Sequence, residues 1–132
     1  MLASTRFNEP SPTISAQWIN RGQRLQQEGR YEDALAAYEQ AQSLAPQDAT
    51  LYAIKADVLV ELQREQEALV AYARALRLYP HFASVYNNLG VLLAEMQYYK
   101  EAILAFERAI QLAPDEVLIY RNLSLLLESL GR

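Results

Sequence analysis

Asn20, Asn88 and Asn122 stand 68 and 34 residues apart in a chain of 132 residues. An asparagine amide offers a donor and an acceptor together, so a row of them at a fixed period is suited to holding the backbone of another polypeptide irrespective of its side chains. Each such hydrogen bond contributes about 1 kcal/mol net, so several must act together. The competing reading is that these amides satisfy partners inside their own chain. Covalent and metal chemistry has less to draw on. His81 is the only histidine and there is no cysteine, whereas catalysis or metal binding needs several groups converging on one point. A lone histidine between Pro80 and Phe82 is expected to be solvated or structural. The paired acids Glu65 and Glu67, and Asp115 and Glu116, fall at predicted helix starts, where they favour the macrodipole. Four glycines in the whole chain leave no loop of the kind that cradles a phosphate. The sequence therefore predicts no enzyme, no cofactor and no metal site.

The period that relates the asparagines runs through the whole chain. YEQAQSLAP at 38–46 returns as YARALRLYP at 72–80 and FERAIQLAP at 106–114, and the closing prolines Pro46, Pro80 and Pro114 are 34 residues apart both times. Set in that register, the chain divides into units 15–48, 49–82 and 83–116, followed by a terminal segment 117–130. The first half of each unit keeps Trp18, Tyr52 and Tyr86, then Gly22, Ala56 and Gly90, then Leu25, Leu59 and Leu93. The second half keeps Ala34, Ala68 and Ala102, then Tyr38, Tyr72 and Phe106, then Ala41, Ala75 and Ala109. A fourth copy opens with Tyr120, Ser124 and Leu127.

Apolar or small residues recur at i, i+3, i+4 and i+7 in the first half and at i, i+4 and i+7 in the second, which is one face of an α-helix in each. Every unit is thus read as two helices. Gly29 marks the turn between them in the first copy, where a left-handed residue ends the helix. Gln63 and Gln97 hold the same place afterwards, and a left-handed backbone there costs each about 1–2 kcal/mol. The prolines close the second helix by driving the preceding residue out of the α region. The alanines let helix backbones approach while the neighbouring aromatic fills the space beside them.

An apolar content of 52% is ample for a core, and Lys55, Asp57, Arg74 and Lys100 interrupt every stretch long enough to span a membrane. The N-terminus lacks the apolar run of a signal peptide. A soluble, cytoplasmic protein is the default expectation, with no membrane partner. A net charge of -4 argues against nucleic acid, whose phosphates need Lys and Arg to neutralise them.

The pattern resembles the tetratricopeptide repeat, a 34-residue unit with Trp-x2-Leu-Gly-x2-Tyr, then Ala-x3-Phe, then Pro. The resemblance covers 15–130, and VYNNLGVLLAEMQYYKEAILAFERAIQLAP carries it most fully. Arg21 and Lys55 depart from it by standing where leucine is usual; their methylenes are expected to lie along apolar surface. The resemblance implies an all-α fold of seven helices, a right-handed superhelix of antiparallel helix pairs whose first helices line a concave groove. That groove would include Asn20, Gln23 and Gln27 from the first unit, Asp57 and Glu61 from the second, Asn87, Asn88 and Glu95 from the third, and Arg121 and Asn122 from the last helix. The implied function is a protein–protein interaction scaffold that holds a peptide or helix of a partner.

Some members of that family clamp C-terminal carboxylates with cationic side chains. The matching places here are Ile19, Gln23, Ile54, Ser84 and Asn88, and none is cationic. Asp57, Glu61, Glu95 and Glu128 against Arg121 favour a neutral or basic peptide instead. Tyr79 and Tyr98 stand where the family is usually polar and suggest a second contact surface. Residues 1–14, with Pro10 and Pro12, are expected to form a flexible lead-in. The last helix is apolar nearly all round, and covering it is worth about 1.5–3 kcal/mol per large side chain. Two covers are possible. One is the remainder of a longer repeat array, which would make the domain a regulatory appendage of a larger protein. The other is a homodimer through Leu118, Tyr120, Leu126, Leu127 and Leu130.

Overall fold

The computed structural model describes residues 13–131, and all regular structure among them is helical. Seven helices follow one another: α1 (Ile14–Gln27), α2 (Tyr31–Leu44), α3 (Ala49–Glu61), α4 (Glu65–Leu78), α5 (Ala83–Glu95), α6 (Tyr99–Leu112) and α7 (Val117–Ser129). Residues 1–12 of the expected lead-in lie outside the described residues. Its last two residues are ordered: Thr13 caps α1, its hydroxyl accepting from the Ala16 amide at 3.1 Å, and Ile14 is already helical. Asp48 caps α3 in the same way through the Leu51 amide at 3.3 Å, satisfying an amide that has no partner within the helix.

The hairpins α1–α2, α3–α4 and α5–α6 are the tightest associations in the molecule, and each packs on the next in series. The first helices also meet directly, α3 against α5 and α5 against α7, while the second helices make no comparable contact with one another. A stack held close along one layer and spread along the other must curve, with the first helices on its inner side. The turn at the top of each hairpin is left-handed, with φ of 76° at Gly29, 59° at Gln63 and 68° at Gln97. Gly131, with φ of 77°, holds the equivalent place after α7. Glutamine accepts this geometry because the chain on both sides of it is fixed: after each turn, Arg30, Arg64 and Tyr98 donate their amides back to the carbonyls of Leu25, Leu59 and Leu93. Arg30 also reaches Asp33 at 2.7 Å, and Arg64 reaches Glu67, clipping the first turn of the helix that follows.

Tyr38, Tyr72 and Phe106 are the largest fully buried side chains, and the alanines at 34, 68 and 102 and at 41, 75 and 109 are entirely sealed. The small residues of the first helices explain why. A Cβ added at Gly22 would stand 2.5 Å from the Tyr38 ring, and at Gly90 2.7 Å from the Phe106 ring. The ring of the second helix thus lies on the backbone of the first. Arg21 lies 5.7 Å over the Trp18 ring. Lys55, 18% exposed at its side chain, donates to Gln42 Oε1 at 3.0 Å with Glu39 at 3.8 Å. Arg21 thus sets its guanidinium on an aromatic ring, whereas Lys55 keeps its ammonium paired at the end of a largely covered side chain. Among the described residues no helix is long and apolar enough to cross a membrane.

Urea unfolding should separate the two kinds of special position. Gly90→Leu forces a branched side chain into the Phe106 ring and is expected to lose about 3 kcal/mol. Gln97→Gly relieves a left-handed side chain and is expected to gain about 1 kcal/mol.

Candidate functional site

The inner face is built by α1, α3, α5 and α7, and its polar centre is Asp57 on α3. Tyr72, reaching across from α4, donates its hydroxyl to Asp57 Oδ1, and Asn88 Nδ2, from α5, donates to the same oxygen at 3.2 Å. One carboxylate oxygen therefore ties three helices of two successive units, and the other, Oδ2, receives no hydrogen bond among the described residues. No cation stands within ion-pair distance of it there. Burial pushes the Asp57 carboxyl above the ordinary carboxylate range. The hydrogen bonds from Tyr72 and Asn88 oppose that rise and Glu61 adds to it. Burial, together with the Asp57 charge, raises the Tyr72 hydroxyl strongly and pushes Tyr38 up to about 12.

The sequence-expected residues separate into those that face the groove and those that do not. Asn20, Gln23, Gln27, Glu61, Glu95 and Arg121 are exposed. Gln23, Gln27 and Glu61, with Gln26 and Tyr31, line a shallow depression of about 550 Å³ at the α1 end. Asn87 is corrected: it is 7% exposed, turned toward α7, where its Oδ1 accepts from Asn122 Nδ2 at 3.0 Å. Asn88 and Asn122 are half-buried, and each spends an amide hydrogen on the unit before it. Of the row, Asn20 makes no side-chain hydrogen bond among the described residues. Asn88 and Asn122 thus join neighbouring units, while Asn20 does not.

Tyr72 was not among the expected site residues, yet a signal for it lies in the repeat. Where the ring position is tyrosine, the first helix supplies an acceptor: Asp57 for Tyr72, and Gln26 Oε1 for Tyr38 at 2.8 Å. Where it is Phe106, the place of Asp57 is taken by Val91. On the opposite side of the molecule, Lys55, Glu39 and Gln42 border a cleft of about 390 Å³ with Leu35, Val70 and Arg74. His81 is exposed beside Tyr79, whose ring packs edge-on against Phe82 at 5.4 Å. Tyr79 and Tyr98 are both about half exposed.

The expected self-association set needs correction. Leu126 is 7% exposed and packs inward with Ile119 against α6, and Leu127 and Leu130 are half-buried. Leu118 and Tyr120 remain open, joined by Val117 and Leu125. The cause is the helical period: 119, 123, 126 and 130 share the face turned to α6.

Two measurements test this geometry. Asn122→Ala orphans the buried Asn87 carbonyl oxygen and is expected to lower stability by about 1–3 kcal/mol, whereas Asn20→Ala is expected to leave the unfolding curve in place. For Asp57 the folded chain favours the protonated form. Its contribution to stability is therefore complete below the unfolded carboxylate value of about 3.9 and lost as pH rises through the raised folded value. Asp57→Asn keeps an acceptor for both donors, so its stability relative to the natural chain should rise from acid to neutral pH. A flat difference between the two unfolding profiles would contradict this reading.

Two family models, each described as tetratricopeptide repeat, match residues 19–81 and 83–116. No curated protein matches the chain. Among solved structures, MamA is 25% identical with a TM-score of 0.83, the likeness covering 92% of this chain and 71% of that one. The first TPR of Spaghetti (RPAP3), bound to the HSP90 peptide SRMEEVD, is 19% identical with a TM-score of 0.85 over 92% and 97%. The Arabidopsis OM64 TPR domain is 24% identical with a TM-score of 0.80 over 85% and 93%. A 34-residue register, hairpins stacked in series with an aromatic ring on a small residue, and two matching models over 19–116 all agree: the chain belongs to the tetratricopeptide repeat family.

Proposed function

We propose that the chain is a protein-interaction scaffold whose concave face holds a peptide or helix of a partner, with a Lys or Arg side chain of that partner anchored at Asp57. The observation that carries this reading is the asymmetry of the Asp57 carboxylate. Oδ1 is held by Tyr72 and Asn88, which fixes the group in place, while Oδ2 is left without a hydrogen bond in a face that also carries Glu61 and Glu95. A carboxylate positioned in advance and partly desolvated forms a stronger charge-assisted bond than a mobile surface one. Gln23, Gln27 and Asn20 supply neutral donors and acceptors for the backbone around it.

Charge separates this reading from binding of an acidic C-terminus. The Spaghetti domain holds SRMEEVD, a peptide with three carboxylate side chains; the inner face here meets it with carboxylates and, at Ile19, Gln23, Ile54, Ser84 and Asn88, with no cation. Such a meeting is repulsive at low salt.

The probe is a labelled dodecapeptide of alternating Arg and Ala, with its Glu-for-Arg counterpart as comparison, titrated into the full chain by fluorescence anisotropy. The basic peptide is expected to bind, to weaken with added salt, and to lose about tenfold in affinity in Asp57→Asn, whose amide presents a donor to the incoming cation. Equal affinity for both peptides, or an Asp57→Asn variant that binds as well as the natural chain, would remove the Asp57 anchor.

A further inference from the structure

On the side away from the groove, the cleft of about 390 Å³ lies between α2 and α4, with α3 beneath. It is bounded by the outer sides of the first two hairpins, so further units stacked at either end of the array would leave it open. Its bottom is apolar, with Leu35, Tyr52 and Leu59 buried, and Val70 on its rim is 71% exposed. Between α4 and α6 the matching positions include Leu76 and Leu89; here they are Gln42 and Lys55, so polar groups border an otherwise apolar cleft. Arg74 supplies a further cation. Its guanidinium lies 5.7 Å from the centre of the Tyr52 ring, and that ring is tied down by the bond from its hydroxyl to the Pro46 carbonyl at 3.1 Å. Arg108, the matching arginine of α6, stacks on Tyr86 at 6.0 Å but donates to Gln111, three residues on, at 3.1 Å. Arg74 has Arg77 in that place, and Val70, Ala71 and Leu78 at the other helical neighbours, so α4 offers it no acid. The two carboxylates of the cleft, Glu39 and Glu67, already pair with Lys55 and Arg64. Among the described residues the Arg74 and Arg77 guanidinium groups make no ion pair. In a chain of net charge -4, the margin of this cleft is left positive.

We infer that this outer cleft docks a short acidic segment of a partner protein, with one carboxylate paired to Arg74 and a large apolar side chain next to it set in the cleft beside Val70. Charge complementarity identifies the occupant. A basic segment would meet Arg74 and Arg77 as like charges, and a neutral one would cover Arg74 without giving it a partner. A guanidinium held over a ring gives up little freedom when it forms a bidentate bond to a carboxylate. The apolar bottom and the exposed Val70 then select a large side chain beside the acid, because they gain only from apolar contact. A cleft of this volume is on the scale of ligand sites generally. The site lies on the side opposite Asp57 and prefers the opposite charge, and neither depends on the other.

The test uses the full chain and a fluorescein-labelled peptide, GSDEFDELSG, followed by anisotropy. Saturable binding is expected, weakened about tenfold by Arg74→Gln or by Val70→Glu in the chain, and about tenfold when the peptide's Phe is replaced by Ser. Leu104→Glu makes the same change of charge at the matching position of α6 and should alter the affinity by less than about twofold. Val70 and Leu104 are both exposed, so these two variants should keep the natural circular dichroism and unfolding midpoint. The dodecapeptide of Glu and Ala offers no large side chain and should bind about tenfold more weakly than this probe. Asp57→Asn should leave binding of the probe unchanged, which separates a failure here from a failure of the Asp57 anchor. Absence of saturation at about 1 mM peptide, equal weakening by Val70→Glu and Leu104→Glu, or binding indifferent to Arg74→Gln overturns the inference. Sedimentation that shows a dimer dissociated by Val70→Glu also overturns it, because the cleft would then belong to a second copy.

Discussion

Everything in this molecule depends on an aromatic ring packed hard against a helix backbone. Tyr38 over Gly22 and Phe106 over Gly90 leave no space for even a methyl group, and that closeness brings the two helices of a hairpin into contact along their whole length. A hairpin made this way still has two apolar sides. It is stable only when a neighbour covers them, so the units stack in series and the stack curves toward its first helices. The concave face is therefore a by-product of packing, and its residues are released from structural duty to the extent that they point away from the next unit.

That release is incomplete. Asn88 and Asn122 line the inner layer, yet each reaches back to the preceding unit, to Asp57 and to Asn87. These bonds sit between hairpins and not within them. Asp57 unites both roles: one oxygen locks α3, α4 and α5 together, and the other is left for the groove. A carboxylate kept here against its desolvation cost is a poor choice for stability alone, which is the physical ground for giving it a recognition role.

Most of the architecture was legible in the sequence because its signals are local and repeated. The proline period fixed the register, the 3.6-residue pattern fixed the helices, and Gly29 pointed to the left-handed turns that Gln63 and Gln97 also adopt. The start of α1 was set one residue early by Thr13, a capping signal the 34-residue frame did not weigh. The site was read less well, for a reason of geometry. Register says which residues lie on the first helices, but not which way a side chain turns once the next unit arrives. Asn87 and Leu126 were both drawn inward by that neighbour. The tyrosine-with-acceptor pairing, Tyr72 with Asp57 against Phe106 with Val91, was present in the sequence and becomes readable only when the units are compared position by position.

The serial arrangement of the hairpins has a kinetic side. Every contact joins segments near in sequence, so ordering spreads from one hairpin to the next without closing a long loop. Loss of order runs the other way. Among the described residues the middle hairpin, α3–α4, has neighbours on both sides, whereas α7 is held along one side. Amide hydrogens in α7 should then exchange through opening events that leave the rest of the stack intact, and those in α3 should wait for the whole array to come apart.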